Sequence, residues 1–301
     1  MTNIPSSLIK TIQDIHDKQG ETWIAKFSNT IQTLEQKLAL KVTQPFKNLS
    51  YNYVVLSENK QGEQFVLKLG VPSLEFKHEI EALLYSQGDG VVKLLDYDEN
   101  VGFLLLQHVT PGDSLAQLED ETKATKIMAK AMKSFWREVP MHHQFPSIEN
   151  WANGLQNIRK HFHGGTGPLP EQLVKKAERL FPELITTISK PIFIHGDLHH
   201  DNVLRMENNQ YIVIDPKGLI GEAEYEVVAY LRNHLLNKQD PKAVLENRIN
   251  ILVEELQLDK ERVVRWGLSH CILSAWWYVE SHGRVQEETI ACAQFFDELL
   301  V

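Results

Sequence analysis

The sequence predicts an α+β fold in two parts, the first built on a mostly antiparallel sheet and the second larger and mainly helical. Helical and strand-like patterns alternate up to about residue 107, whereas helical patterns dominate from residue 114 onward. Residues 191–215 are the exception, because three short apolar pieces there are separated by polar loops. The expected division is therefore a first lobe at 1–107, a hinge at 108–113 and a second lobe at 114–301.

The first lobe is expected to contain helices and two hairpins. Apolar residues recur at helical spacing over residues 6–39, and Gly20 is expected to separate two helices there. Ser73 is a candidate N-cap for a helix over residues 74–86. β-rich runs bounded by turn residues predict the strands. These strands are 51–56, 64–69, 91–97 and 102–107.

Composition and charge limit the kinds of partner that the protein is expected to bind and the cellular compartment that it is expected to occupy. The formal net charge is -9, and no basic patch offers the phosphate neutralisation on which duplex binding depends. No apolar run approaches the roughly 20 residues that cross a bilayer, and the first 17 residues lack the pattern of a signal peptide. Cys271 and Cys292 fit buried, reduced thiols. We expect a cytoplasmic protein with no nucleic-acid or membrane partner; the sequence does not indicate an oligomeric state.

The polar loops of residues 191–215 carry the strongest chemical signal. The chain reads I-F-I-H-G-D-L-H-H-D-N-V-L from Ile192 and Y-I-V-I-D-P-K-G from Tyr211. Phosphoryl transfer needs a carboxylate to orient the attacking hydroxyl and oxygen ligands for magnesium. Asp197, Asn202 and Asp215 offer these groups at spacings of five and thirteen residues, which fit a protein-kinase catalytic loop and metal-binding aspartate. Ordinary turn chemistry is the competing interpretation.

The same motifs carry a family resemblance. The motif H-G-D-L-H-x-x-N resembles the catalytic loop of aminoglycoside phosphotransferases, and I-D-P-K-G-L-I-G-E from Ile214 is similar to the streptomycin 6-kinase and hydroxyurea kinase branch. The resemblance implies a bilobal, protein-kinase-like fold and Mg-ATP-dependent phosphorylation of a small-molecule hydroxyl, such as that of streptomycin, in antibiotic resistance. It also implies that Asp197 is the base or orienting carboxylate and that Asn202 and Asp215 hold Mg²⁺.

The resemblance extends to nucleotide-binding residues in the first lobe. It implies that Lys68, in V-L-K-L, contacts the α- and β-phosphates and that a helical glutamate pairs with it. Glu79 is the expected partner, with Glu75 and Glu81 as alternatives.

Two further segments are implied to bind the nucleotide. Backbone groups near Gln107 and Val109 would bind adenine, and Ser50 would contact phosphate from a loop at residues 46–53 that lacks glycine. ATP is the expected donor, and GTP remains an alternative.

Acceptor contacts are less sharply defined by the sequence. His195 is expected to brace the loop by hydrogen bonds, because a histidine zinc site would need helical spacing that Gly196 disfavours. An aromatic group near the C-terminus fits a core better than an acceptor wall; its members are Trp266, Trp276, Trp277 and Tyr278. Several acidic residues could bind a polycation, although a solvated acidic face is the stronger expectation; they are Glu222, Glu224, Glu226, Asp297 and Glu298. The candidate substrate residues are His199, His200, Lys217 and Glu222.

Two other functions use the same motifs. A metabolic kinase for a fructosamine, sugar, choline or amino alcohol would share the catalytic loop, although the Pro-Lys-Gly continuation favours the antibiotic kinase branch. A pseudokinase that binds nucleotide without turnover is disfavoured because Lys68, Asp197, Asn202 and Asp215 are all present.

Overall fold

The computed structural model describes residues 4–47, 49–88 and 90–300. The chain separates into two compact units, Met1–Gly112 and Asp113–Val301. The first unit carries an antiparallel sheet and the second is mainly helical, which confirms the predicted α+β class. Within the described residues, no helix combines the length and apolar character needed to span a membrane.

The first unit is a five-stranded sheet with two helices. The strands follow the order β1-β2-β3-β5-β4, and every neighbouring pair is antiparallel. Lys68 lies on the central strand, opposite Val54 on one side and Leu104 on the other. The elements are α1 (Ser6–Leu38), β1 (Leu40–Pro45), β2 (Tyr53–Asn59), β3 (Gln64–Leu69), α2 (Leu74–Tyr85), β4 (Leu94–Asp98) and β5 (Phe103–Gln107).

The long helix α1 supplies much of the core of this unit. Phe27 packs against Trp23 and Tyr53, with ring centroids 5.1 Å and 4.8 Å apart. These rings are buried with apolar residues of β2, β3 and β5 in one continuous cluster. Aromatic rings of this size contribute large buried areas, so α1 fixes the sheet from one face.

One local prediction for this unit is wrong, and one strand was not predicted. The chain breaks at Asp17 (φ 45°, ψ -130°) rather than at Gly20, which lies inside the following helical segment. A Cβ on Gly20 would lie 2.6 Å from the carbonyl oxygen of Ile12, so glycine is required there for close packing. Strand β1 was not predicted, because its alternation of inward and exposed residues covers only the first four positions and the rest of the strand is exposed.

Helix α2 matches its prediction closely. Ser73 accepts a hydrogen bond from the backbone N–H of Phe76 at 3.1 Å, as an N-cap does. Phe76, Glu79, Ile80 and Leu83 are buried on one face. This face presents Glu79 to the sheet, which matters for the site.

The second unit surrounds the segment of short strands with helices. Strands β6, β8 and β9 form one small sheet and β7 pairs antiparallel with β10. Helix α8 contacts α4, α5, α6, α7 and α9 and buries most of its length. The elements are β6 (Pro111–Ser114), which begins just before the unit boundary, α3 (Glu121–Phe135), α4 (Ile148–His161), α5 (Glu171–Thr186), β7 (Ile192–Ile194), β8 (Val203–Met206), β9 (Tyr211–Val213), β10 (Leu219–Gly221), α6 (Ala223–Arg232), α7 (Pro241–Leu256), α8 (Lys260–His282) and α9 (Glu287–Glu298).

Candidate active site

Residues 195–202, the catalytic loop, connect β7 to β8 and carry the predicted catalytic residue Asp197. Gly196 has a φ of 86°, a left-handed conformation that glycine adopts without a steric penalty. The loop ends in a short 3-10 helix, His200–Asn202, immediately before β8. The sharp turn at Gly196 therefore sets the direction in which the chain presents Asp197.

A second loop, after β9, is hydrogen bonded to the catalytic loop. The backbone N–H of Ile214 donates to the carbonyl of Asn202 at 3.0 Å. The side-chain amide of Asn202 donates to the carbonyl of Asp197 at 2.9 Å. Asp197, Asn202 and Asp215 thus lie on backbone segments that are joined directly.

Asp215 itself has an uncommon backbone conformation. Its φ of 61° is in the left-handed region, which costs a non-glycine residue about 1–2 kcal/mol. Such conformations concentrate at functional sites, where the surrounding structure enforces them. Here the hydrogen bond from Ile214 to Asn202 holds the residue before Asp215 in place.

The oxygen donors of these loops fit a hard divalent cation. The side-chain amide nitrogen of Asn202 faces the carbonyl of Asp197 and the ring of His199. Its Oδ1 accepts no hydrogen bond among the described residues and is therefore available to a cation. Asp215 supplies a carboxylate, and Mg²⁺ prefers a few carboxylate and carbonyl oxygens completed by phosphate and water. The described residues contain no group of three or more His, Cys, Asp or Glu side chains arranged for a metal. A two-residue site completed by phosphate oxygens is consistent with both observations.

His195 braces both loops, as expected from the sequence. Its Nδ1 accepts from the backbone N–H of Asp197 at 3.2 Å, and its Nε2 lies 2.9 Å from the carbonyl of Ile214. This pattern requires the proton on Nε2. Burial lowers the pKa of His195 to about 4, so the ring is neutral at pH 7.

Glu226, on α6, was predicted to lie on a solvated acidic face, and that prediction is wrong because its side chain is 1% exposed. Its buried carboxylate accepts from the backbone N–H groups of His195 at 2.5 Å and Gly196 at 3.2 Å. Burial raises its pKa to about 7, and the charge of Asp197 adds to the effect. The sequence contained a signal for this burial. Glu226 begins the apolar helical run E-V-V-A-Y-L, and a helix that is apolar on most sides is expected to be enclosed.

The two histidines proposed as substrate contacts have different environments. His200 is 3% exposed and stacks on Tyr230, with ring centroids 4.2 Å apart. Burial lowers its pKa to about 2. The prediction that His200 faces substrate is therefore wrong, since its ring is packed inside. His199 is half-buried, with its Nε2 3.4 Å from the amide nitrogen of Asn202, and stays a candidate.

Lys217 stays a candidate substrate contact, whereas the prediction for Glu222 is corrected. Lys217 Nζ lies 3.2 Å from the Oδ2 of Asp215, beside the proposed metal ligands. Glu222 is buried and accepts hydrogen bonds from Arg262 Nε at 2.6 Å and from the indole of Trp266. Because both donors are internal, Glu222 ties α6 to α8, and its prediction as a substrate contact is corrected.

In the first unit, Lys68 and Glu79 form a buried ion pair. Lys68 Nζ lies 2.7 Å and 2.8 Å from the two carboxylate oxygens of Glu79, and each residue is 5% exposed. Glu75 is exposed and Glu81 lies 3.8 Å from Lys77, so neither alternative pairs with Lys68. A buried charge pair with this geometry requires both partners.

The remaining predicted nucleotide contacts, Ser50, Gln107 and Val109, differ in whether they have a group available to bind a ligand. Ser50 is exposed, whereas Asn48 of the same loop lies outside the described residues. The N–H of Gln107 donates to Lys93 at 3.0 Å and so is already used. Val109 is buried, and its N–H has no hydrogen-bond partner among the described residues. Val109 therefore offers a backbone donor that a ligand could use.

The tryptophans of α8 separate into core and surface. Trp266 and Trp276 are at most 1% exposed and belong to the core. Trp277 is half-buried and meets Trp151 of α4 in an edge-to-face contact at 5.4 Å.

Trp151 was not singled out in the sequence, because nothing in its local pattern indicates that it approaches the catalytic loop.

The fold and these loops define a small-molecule phosphotransferase of the protein-kinase-like class, which transfers a phosphoryl group to a hydroxyl. The chain belongs to the family described as aminoglycoside/hydroxyurea antibiotic resistance kinases, which its residues 38–282 match.

Individual relatives agree with this membership. The streptomycin 6-kinase of Streptomyces griseus is 24% identical over 282 residues, covering 92% of this chain and 91% of the relative. The hydroxyurea phosphotransferase of Kitasatospora aureofaciens is 24% identical over 292 residues, covering 93% and 81%. A thermostable mutant of an aminoglycoside phosphotransferase, solved with ADP and hygromycin B, has a TM-score of 0.62 at 13% identity and covers 90% of this chain and 97% of its own. At that identity the structure shows a shared fold.

Proposed function

We propose that the protein transfers the γ-phosphoryl group of Mg-ATP to a hydroxyl of an aminoglycoside such as streptomycin. The observation that carries the proposal is the direct hydrogen bonding between the loops of Asp197, Asn202 and Asp215. Both relatives reported above are phosphotransferases, and one acts on streptomycin by name.

Asp197 is the proposed partner of the acceptor hydroxyl. The hydroxyl oxygen attacks the γ-phosphorus, the bond from that phosphorus to the β-phosphate oxygen breaks, and ADP leaves. Asp197 orients the hydroxyl and accepts its proton. The N–H groups of His195 and Gly196, held by Glu226, fix the loop so that Asp197 needs little rearrangement.

The negative charge of the nucleotide requires neutralisation by a metal ion and by a cationic side chain. Asn202 and Asp215 are the proposed holders of Mg²⁺, which when bound neutralises phosphate charge. Lys68, oriented by Glu79, is the proposed contact to the α- and β-phosphates. The free N–H of Val109 is the proposed donor to the adenine ring. A cytoplasmic location is part of the proposal, and the buried free thiols of Cys271 and Cys292 support it.

An acceptor panel tests the proposal. The purified full chain is given γ-labelled ATP and Mg²⁺ with streptomycin, hydroxyurea, choline or a fructosamine, and labelled product is quantified. The proposal expects streptomycin to be phosphorylated with the highest kcat/KM. Preference for choline or a fructosamine would replace the antibiotic acceptor by a metabolic one. Nucleotide binding without transfer to any acceptor would overturn the enzyme assignment, and the same panel with GTP tests the donor.

A further inference from the structure

A half-buried tryptophan touches the catalytic loop one residue before Asp197. Trp151 lies in the first turn of α4, whose N-cap Ser147 forms a bridge to Ile220 of β10. The indole Cη2 of Trp151 is 3.2 Å from the position that a Cβ would occupy on Gly196. The indole is therefore in van der Waals contact with the turn that presents Asp197.

Trp151 belongs to a cluster of four rings, the aromatic platform, made of Trp151, Tyr225, His270 and Trp277. Trp277 meets Trp151 at 5.4 Å with ring planes at 89°, and Tyr225 lies 6.4 Å from Trp151. His270 contacts Tyr225 at 5.1 Å and Trp277 at 6.3 Å. The platform thus joins α4, α6 and α8 beside the catalytic loop.

The inner and outer members of the platform differ in burial. Tyr225 and His270 are at most 4% exposed, and the Tyr225 hydroxyl and the His270 Nδ1 have no hydrogen-bond partner within the described residues. Trp151 and Trp277 are half-buried. The two neutral inner rings therefore support two indoles that keep apolar surface in contact with solvent.

The platform lies within electrostatic reach of the catalytic carboxylate. Burial raises the pKa of Tyr225 well above its usual value, and the negative charges of Glu226 and Asp197 contribute to the shift. The Tyr225 phenol is therefore neutral at pH 7. Exposed aromatic surface next to a reacting group is typical of a ligand-binding wall rather than a core, because a core would bury it.

We propose that Trp151 and Trp277 form the surface on which the ring of the acceptor stacks, with the ring's hydroxyl directed to Asp197. This inference rests on the proposed function and specifies its substrate class. The acceptor would be a saturated ring alcohol, such as a sugar or cyclitol, whose C–H face covers an indole. Hydroxyurea, which is acyclic and has few atoms, would gain little from the same surface.

The test compares acceptor KM with ATP KM in tryptophan variants of the full chain. Trp151→Ala and Trp277→Ala are expected to raise the KM for streptomycin about tenfold, the size expected for loss of an aromatic contact, while the KM for ATP stays within about twofold of wild type. Trp151→Phe should recover most of the affinity. Trp136→Ala, which removes a half-buried indole of the same unit outside the platform, is the matched control and should leave the streptomycin KM unchanged.

A binding measurement keeps the test independent of turnover and of folding defects. Streptomycin added without ATP should change the tryptophan fluorescence of the wild type, and Trp151→Phe with an unchanged unfolding temperature should lose the part of this response that comes from Trp151. An unchanged streptomycin KM in folded Trp151→Ala, or an equal rise in the KM for ATP, would overturn the platform while the phosphotransferase stands. Transfer by the wild type to hydroxyurea but to no ring alcohol would also overturn it. Transfer to no acceptor at all would remove the proposed function and this inference with it.

Discussion

The backbone N–H of His195 donates to the buried carboxylate of Glu226 at 2.5 Å, so that helix α6 holds the start of the catalytic loop. The same carboxylate also accepts from Gly196. One acidic side chain thereby satisfies two consecutive backbone donors at the turn that precedes Asp197. The position of Asp197 depends on this helix as well as on its own loop.

Glu226→Gln should lower kcat at least about tenfold with a smaller effect on the KM for ATP, because a single amide oxygen replaces two carboxylate acceptors and the loop loses its fixed geometry. Glu224→Gln, two residues away on the same helix, is the matched control and should retain activity. Steady-state kinetics at pH 7 measure both. Wild-type kcat in a folded Glu226→Gln protein would show that the carboxylate does not position the loop.

The raised pKa of Glu226 also predicts how stability depends on pH. Its folded-state value is about 7, against 4.5 as the usual value, so the folded protein binds this proton more tightly than the unfolded chain. The resulting stabilisation is complete below pH 4.5 and is lost as pH rises through about 7. A shift of this size corresponds to roughly 3 kcal/mol. Between pH 5 and pH 8, wild type should lose more unfolding free energy in urea than Glu226→Gln; parallel curves for the two proteins would contradict the assignment.

The Lys68–Glu79 pair predicts separable effects on stability and activity. Lys68→Met removes the ion pair with the buried Glu79 carboxylate, and breaking a buried pair typically costs about 3–5 kcal/mol. Lys68→Met with Glu79→Leu removes both charges and should recover most of that stability while remaining inactive. Lys77→Met, which disrupts the half-exposed pair with Glu81, should change stability by less than about 0.5 kcal/mol. Urea unfolding and phosphotransfer assays measure the two properties, and an active double variant would show that Lys68 is dispensable.

Arg248 is expected to be a major determinant of stability in the second unit. It is fully buried, donates to the carbonyls of Tyr230, Leu231 and Asn233 at the end of α6, and pairs with Glu121 at 2.9 Å. Removing these charge-assisted bonds with Arg248→Met should cost about 3–5 kcal/mol, which corresponds to a fall in Tm on the order of 10 °C. Arg265→Met, at the more exposed pair with Glu183, is the control and should change Tm by about 1–2 °C at most. Equal Tm values for the two variants would contradict the role of Arg248.

Asn202 is predicted to contribute to catalysis through both the oxygen and the nitrogen of its side-chain amide. Asn202→Ala removes the proposed magnesium oxygen and the hydrogen bond to Asp197, so kcat should fall about a hundredfold or more, and the magnesium concentration at half-maximal rate should rise. Asn208→Ala, in the exposed turn after β8, should leave both quantities unchanged. Chelation with EDTA should abolish transfer by the wild type and added Mg²⁺ should restore it. Transfer that persists in EDTA would exclude a magnesium site at Asn202 and Asp215.

The parts of the site that the sequence predicted share a simple physical origin. Asp197, Asn202 and Asp215 are polar residues at fixed spacing between short apolar strands, and Lys68 is a lone charge within an apolar strand; each is therefore visible in the local pattern. The choice of Glu79 over its neighbours on α2 needed the packing of α2 on the sheet, because helical spacing alone left three glutamates open.

The parts that the sequence missed depend on contacts between distant segments. Glu226 reads as one acid among several until α6 is seen to be enclosed, and Trp151 is 45 residues from Gly196, which it touches. His200 looked available because the loop is polar, yet its ring packs on Tyr230 from another helix. Tertiary packing, rather than local chemistry, decides these cases.

The most direct test of the central claim is phosphotransfer by Asp197→Asn, a change that keeps the size of the side chain and removes its capacity to accept a proton. The account predicts that this variant binds ATP and unfolds at the temperature of the wild type, while its rate of transfer to streptomycin falls by about two to four orders of magnitude. A folded Asp197→Asn protein that phosphorylates streptomycin at the wild-type rate would contradict the assignment of the catalytic loop.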